Sequence, residues 1–182
     1  MRSRRKVIVA LVVFVLIVGL VFAGFQLFVV LRSDPGGEGP EHPVVVGVRA
    51  DDDRLTIAIG RSCPQGSTVD VSFNPYGEDR VALEFTSAEA LSRFEPEELP
   101  PDTTVETALP AGFMWRSSTE MILSVHFARG GYGWTAHADL TAADPPAGYP
   151  PDVYFFGDFG WLTEAEVAAR DGMDLMTACT PQ

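Results

Sequence analysis

The chain has 182 residues, with 25 acidic and 13 basic side chains and a formal net charge of −12 at pH 7. Residues 33–182 hold all 25 acidic residues but only eight of the basic ones, which gives this part of the chain a net charge of −17. A protein this acidic repels the phosphates of nucleic acids and the headgroups of anionic lipids. We therefore expect no nucleic acid as a partner.

An uncharged apolar run occupies residues 7–31 (VIVALVVFVLIVGLVFAGFQLFVVL). As a helix it would be roughly 37 Å long at about 1.5 Å per residue, enough to cross a hydrocarbon core of ~30 Å. It is too long for a cleaved signal peptide, whose apolar core usually has about 7–15 residues. The run therefore predicts an uncleaved transmembrane helix.

The flanks of this run predict its orientation. Residues 1–6 (MRSRRK) carry four basic side chains, whereas Arg32 alone follows the run closely. Positively charged flanks stay in the cytoplasm. We therefore predict a cytoplasmic tail over residues 1–6, a transmembrane helix over residues 7–31, and a single-pass protein of the cell membrane whose remaining chain is extracytoplasmic. The sequence leaves the oligomeric state open.

Residues 32–43 (RSDPGGEGPEHP) are rich in Pro, Gly and charge, which predicts a linker. Residues 44–182 are long enough for one domain with a buried core, and strand-like segments recur in them between turn residues. Residues 68–73 (TVDVSF), for example, alternate apolar and polar side chains as a strand with one buried face does. The predicted strands include Val44–Arg49, Arg54–Gly60, Thr68–Asn74, Arg80–Phe85, Thr104–Ala108 and Val153–Phe156, and the first two form a hairpin.

Two capping-box patterns predict short helices. Thr86 and Thr163 are each followed three residues later by a glutamate, an arrangement that satisfies the first backbone N–H groups of a helix. They predict helices over residues 86–95 and Glu164–Arg170, which a following proline and a following glycine would end.

The chain also contains a clear hairpin pattern. Residues 120–128 and 132–140 have strand character, and Gly130 and Gly131 between them suit a two-residue turn. This turn would place Val125 opposite Ala136. Together these elements predict a mainly β fold, an extracytoplasmic antiparallel β-sandwich-like domain over residues 44–182 with one or two short helices.

Two cysteines, Cys63 and Cys179, lie in the predicted extracytoplasmic part. In an oxidising compartment such a pair is more often a disulfide than two free thiols. The pair lacks the C-x-x-C spacing of a redox or metal site. The sequence therefore predicts a Cys63–Cys179 disulfide that fixes the C-terminal tail to an early strand.

The polar face of the predicted hairpin carries candidate metal ligands. His126 and His137 would be diagonal neighbours in that register, with Asp139 on the same face, and imidazole and carboxylate groups are zinc ligands. An outward-facing strand is polar in any case, so we favour a solvated face. We predict no metal site and no cofactor, and we keep His126, His137 and Asp139 as the alternative ligand set.

The segment from Tyr154 to Trp161 is dense in aromatic residues. In a strand, alternate aromatic side chains point inward and fill the core. Any that remain exposed would suit stacking on sugar rings or docking another protein. We favour core packing for this segment, and the alternative is a binding patch of Tyr154, Phe156, Asp158 and Trp161.

The sequence contains neither a G-x-S-x-G motif nor a Gly-rich phosphate loop followed by Lys, and we assign no catalytic residue. It predicts a non-enzymatic binding module of the cell envelope, whose partner is an envelope protein or glycan. The alternative is an envelope hydrolase that acts on glycans or peptides through carboxylates or the two histidines. That alternative requires a pocket lined by carboxyl groups with raised pKa values, or by His126 and His137 converging on one point.

Overall fold

The computed structural model describes residues 40–74, 76–77, 79–128 and 130–181. The predicted basic tail over residues 1–6, the transmembrane helix over residues 7–31 and most of the linker over residues 32–43 lie outside the described residues. Within the described ranges, no helix combines the length and the apolar character needed to cross a bilayer.

Strands dominate the described residues, with one α-helix near the C-terminal end. In chain order the elements are β1 (Val44–Val45), β2 (Gly47–Asp51), β3 (Arg54–Cys63), β4 (Thr68–Phe73), β5 (Val81–Ser87), β6 (Leu91–Phe94), β7 (Thr103–Thr107), β8 (Glu120–His126), β9 (Ala136–Asp139), β10 (Val153–Phe155), β11 (Trp161–Thr163), α1 (Glu164–Arg170) and β12 (Met176–Thr177). Sheet I has the antiparallel order β11-β10-β2-β3-β6, and sheet II has the antiparallel order β7-β5-β4-β8-β9. A separate parallel pair joins β1 and β12. The predicted mainly β, antiparallel fold is confirmed.

Sheets I and II share one hydrophobic core. Strands place alternate side chains on opposite faces, so Leu55 and Ile57 of β3 and Val71 of β4 lie in the same cluster, each fully buried. The rings of Phe85 on β5 and Phe94 on β6 also meet between the sheets, with centroids 5.0 Å apart. Each fully buried side chain of this size contributes about 1.5–3 kcal/mol, which makes the contact between the sheets a main source of stability.

The opposite face of sheet I is partly covered by α1. Val167 of α1 is buried against Gly60 of β3. Gly60 has a φ of 80°, which favours glycine, and a Cβ at this position would collide with the Val167 side chain. Phe156 covers Gly47 of β2 in the same way. Sheet I is therefore buried on two sides along much of β2 and β3, whereas the outer face of sheet II carries half-exposed polar residues such as Asp70.

The helix predicted over residues 86–95 is wrong, because these residues form the end of β5, a turn and β6. The Thr86 hydroxyl does not cap a helix but lies 2.8 Å from the Thr68 hydroxyl and donates to the Glu106 carboxylate at 3.0 Å, both on neighbouring strands. Phe94 is buried in the shared core. Pairing with β3 and burial outweigh the local preference for a helix.

The second predicted helix is confirmed as α1, with the predicted bounds. The Thr163 hydroxyl accepts from the Glu166 N–H at 3.2 Å, and the Glu166 carboxylate accepts from the Thr163 N–H at 2.8 Å. These two bonds are the capping box that the sequence predicts. The hairpin of β2 and β3 also forms as predicted, with Asp51 paired to Arg54 at the turn.

The hairpin of β8 and β9 is shifted by two residues from the predicted register. Leu123, rather than Val125, lies opposite Ala136. At Trp134 the C-terminal tail takes the place of β8 as the hydrogen-bond partner. The backbone N–H of Trp134 donates to the Ala178 carbonyl at 3.0 Å and is therefore not available to β8. A shift of two residues leaves every side chain on its predicted face, so the apolar face still points into the core.

The predicted disulfide between Cys63 and Cys179 is confirmed, with Cα atoms 5.1 Å apart and a sequence separation of 116. Both cysteines are buried. Cys63 is the last residue of β3, and Cys179 follows β12, where Met176 pairs with Val44 of β1. The bridge fixes the tail beside an early strand, as expected from the sequence.

Candidate functional site

A groove of about 520 Å³ lies on the face of sheet I that points away from the shared core. Its floor comes from β3, β6 and β10, and its rim comes from the loop that follows β6. We call it the sheet I groove, and its lining residues are Thr56, Arg93, Phe94, Glu95, Glu98, Leu99, Pro100, Pro101 and Tyr154. These residues are far apart in the sequence, so the strand order of sheet I creates the groove.

Arg93 is the main hydrogen-bond donor of the groove. It pairs with Ala58 in the ladder of β3 and β6, and its Nη1 atom lies 3.5 Å from the Tyr154 hydroxyl and 3.7 Å from a Glu164 carboxylate oxygen. The hydrogen bond to Tyr154, the charge interaction with Tyr154 and the Glu164 carboxylate raise the pKa of Arg93 above its ordinary value. Its side chain is 61% exposed, so the guanidinium has N–H groups free for a ligand in the groove.

Carboxylates line the rim of the groove. The Glu98 N–H donates to the Glu95 carbonyl at 3.1 Å, and this tight turn holds both glutamates at the groove. Glu95 also forms an ion pair with Arg54 at 3.5 Å. Pro100 and Pro101 follow in the same loop and add a stiff apolar wall.

The groove therefore combines donors, acceptors and an apolar wall in one open surface. An anion would meet Glu95 and Glu98, and a cation would meet Arg93, so the groove favours neither charge. A neutral ligand with many hydroxyl groups can bond to both sets, and the apolar faces of sugar rings pack on apolar side chains.

The four residues of the predicted binding patch do not share one exposed surface. Tyr154 and Phe156 are buried, with 4% and 0% of their surface exposed. Asp158 is exposed in a 3₁₀ turn, and Trp161 is half-buried among neighbouring aromatic rings. Tyr154 belongs to the sheet I groove through its hydroxyl rather than through an exposed ring. The alternation of side chains along the strand does not predict here which aromatic residues are exposed, because α1 and the residues around it cover the second face of β10.

His126, His137 and Asp139 lie on the exposed face of sheet II, but the register shift separates the histidines. His126 ends β8, whereas His137 of β9 pairs with Ile122. The backbone positions of the two histidines are therefore offset by four steps along the strands, roughly 14 Å at about 3.4 Å per residue. Asp139 accepts from the N–H and the hydroxyl of Thr141, at 2.8 and 2.6 Å. In the part of the chain that the structure describes, no group of three His, Cys, Asp or Glu side chains is placed to hold a metal ion.

A carboxyl group with a raised pKa lines a different cavity, of about 430 Å³, beside β7. Burial raises the pKa of Glu97 above its ordinary value, and the neighbouring charge of Glu95 adds to the rise. The other described lining residues carry no titratable group; they are Leu83, Pro96, Leu99, Val105, Ala108, Leu109, Pro110, Gly112 and Phe113. Glu95, whose charge acts on Glu97, lines the sheet I groove rather than this cavity.

Arg93, Glu95 and Glu98 are not apparent as site residues from the sequence, because the capping pattern at Thr86 predicts a helix that ends among them. The available indication is the run EPEELPP over residues 95–101, since polar and proline-rich loops beside strand ends often carry binding residues. That indication is weak without the strand order.

No protein-family model matches the chain, and neither a curated protein nor a solved structure is significantly similar to it.

Proposed function

We propose that the chain is a single-pass membrane protein of the cell envelope, and that its extracytoplasmic domain is a non-enzymatic module that binds an envelope glycan in the sheet I groove. The observation that carries this proposal is the meeting of Arg93 and the Tyr154 hydroxyl with the carboxylates of Glu95 and Glu98 in one open groove. Donors and acceptors side by side match a hydroxyl-rich ligand, and the proline wall matches the apolar face of a sugar ring.

The proposed location is supported by the apolar run over residues 7–31, by its basic flank, and by the Cys63–Cys179 disulfide. Disulfides persist in oxidising compartments outside the cytoplasm. A reporter that is active only outside the cytoplasm, fused after residue 182, tests the orientation. Activity is expected, and a silent reporter on a stably produced fusion would refute the proposed topology.

Glycan binding is tested with the full-length protein in detergent micelles on an array of neutral and charged oligosaccharides. We expect neutral oligosaccharides to bind, and calorimetry then measures the affinity of the best one. Arg93→Ala and Tyr154→Phe are each expected to weaken binding by roughly 5- to 30-fold, which corresponds to one or two hydrogen bonds of about 1 kcal/mol each.

The matched control is Arg170→Ala. Arg170 lies on α1, pairs with Asp174 at 2.7 Å and does not line the sheet I groove, so this variant should bind as the unmodified protein does. Crosslinking from intact membranes covers the other partner class. If no saccharide binds and a protein crosslinks at Arg93, then the groove serves a protein partner and the glycan assignment is wrong.

A further inference from the structure

Strand β7, at one end of sheet II, has an open side. It pairs with β5, and among the described residues no strand lies beyond it. Residues 104–107 are exposed. Such an edge presents unpaired backbone N–H and C=O groups, with which a second extended chain can pair. The regular part of the ladder covers Thr103 to Val105, and a register shift follows it.

An apolar cavity adjoins this open edge. Val105 pairs with the core residue Phe85 and so lies on the inner face of sheet II, yet 46% of its surface is exposed. It lines the cavity of about 430 Å³ together with Leu83 and Phe113. A strand added beside β7 would lie about 4.8 Å away and would direct every second side chain over this cavity.

Carboxylates accompany the open edge on both faces. Glu97 lines the cavity on the inner side, and Glu106 accepts a hydrogen bond from Thr86 on the outer side. A strand that carries Lys or Arg would be attracted to these groups. A second copy of β7 would instead bring Glu106 close to its own counterpart, and like charges on neighbouring strands are destabilising. The charge pattern favours a basic partner over self-association.

We propose that β7 and the cavity beside it bind an extended protein segment by strand addition, with apolar side chains over the cavity and Lys or Arg side chains on the opposite face, directed towards Glu106. The cavity shares the wall residue Leu99 with the sheet I groove but does not include Arg93 or Tyr154, so this site adds a protein partner to the proposed glycan binding. Failure of either proposal leaves the other unaffected.

The test uses the full-length protein in detergent micelles and three short fluorescein-labelled peptides, followed by fluorescence anisotropy. Val alternates with Lys in the first peptide, Val with Glu in the second, and Ser with Lys in the third. The first is expected to bind. The second should bind at least about tenfold more weakly because it meets carboxylates, and the third should lose a similar factor because it leaves the cavity unfilled.

Variants then locate the site. Val105→Asp places a charge at the cavity and should weaken binding of the Val–Lys peptide at least about tenfold. Glu106→Gln keeps the size of the side chain but removes its charge, and should weaken binding and reduce its dependence on salt. The matched control Glu120→Gln removes a carboxylate from β8, away from the open edge, and should have no effect. Hydrogen exchange should show new protection of the backbone amides in β7 when the peptide is added.

Three results would overturn the proposal. Equal binding of all three peptides would show that neither the apolar nor the basic side chains contribute to binding at the edge. Loss of binding in Arg93→Ala, with β7 amides unprotected, would place the peptide in the sheet I groove. A dimer of the protein that Val105→Asp dissociates would show that the edge is occupied by a second copy.

Discussion

Replacing Cys63 and Cys179 together by alanine tests how much stability the tail bridge supplies. The bridge joins residues with a sequence separation of 116. In the chain-entropy model, closing a loop of this size raises the free energy of unfolding by about 4–5 kcal/mol. Domains of this size unfold with about 5–15 kcal/mol, so the double variant should lose roughly a third or more of its stability.

The assay is urea unfolding of the full-length protein in micelles, followed by tryptophan fluorescence. Trp134 is a suitable reporter because it lies beside the bridged tail, where its backbone N–H donates to the Ala178 carbonyl next to Cys179. With a slope of about 2 kcal/mol per M, the midpoint should fall by roughly 2 M. The unmodified protein under reducing conditions is the control and should show a similar fall. A double variant whose midpoint stays within about 0.3 M of the oxidised protein would refute this account of the bridge.

Further predictions concern single contacts. Gly60→Ala should lower the free energy of unfolding by about 2–4 kcal/mol, because its φ of 80° disfavours alanine and the new Cβ collides with Val167; thermal unfolding measures this. Thr163→Ala removes the helix cap and should cost about 1 kcal/mol in the same assay. The hydrogen bond from Arg116 lowers the pKa of Asp144 below its ordinary value of 3.8, so this pair stabilises the fold above that value and loses its effect as the pH falls through the lowered pKa. Asp144→Asn should therefore be less stable by at most about 1 kcal/mol at neutral pH, since the pair is exposed, and the difference should vanish in strong acid.

Elements fixed by local interactions were predictable from the sequence. The capping box at Thr163 depends on residues three positions apart, and the turn between Asp51 and Arg54 closes a hairpin of adjacent strands. In both cases the residues that decide the structure are neighbours in the chain. The disulfide was predictable for another reason, since Cys63 and Cys179 are the only two cysteines and have no alternative partner.

Elements fixed by distant contacts were not predictable in the same way. The sequence predicts that residues 91–94 are part of a helix. In the folded protein they pair with β3, and Phe94 is buried in the shared core. The shift of β9 depends on Ala178, in the C-terminal tail. Neither partner lies within the window that a periodicity argument covers.

The candidate site shows the same division. Tyr154 belongs to an aromatic run that the sequence makes obvious, but its role in the groove comes from a hydroxyl 3.5 Å from Arg93, which is 61 positions away. That contact requires β10, β2, β3 and β6 to be neighbours in this order. Strand order is a property of the whole sheet, and residue spacing along the chain does not encode it.

The Cys63–Cys179 bridge also determines how the domain responds to mechanical force. A pull between residues 44 and 181 runs along β1 to β3, crosses the bridge at Cys63 and leaves through Cys179, so residues 64–178 form a closed loop that carries no tension. Stretching then lengthens only about 23 residues, to roughly 80 Å, whereas the open chain would reach roughly 470 Å. Under load the domain would yield at its ends while sheet II, which lies entirely within the loop, is shielded from tension.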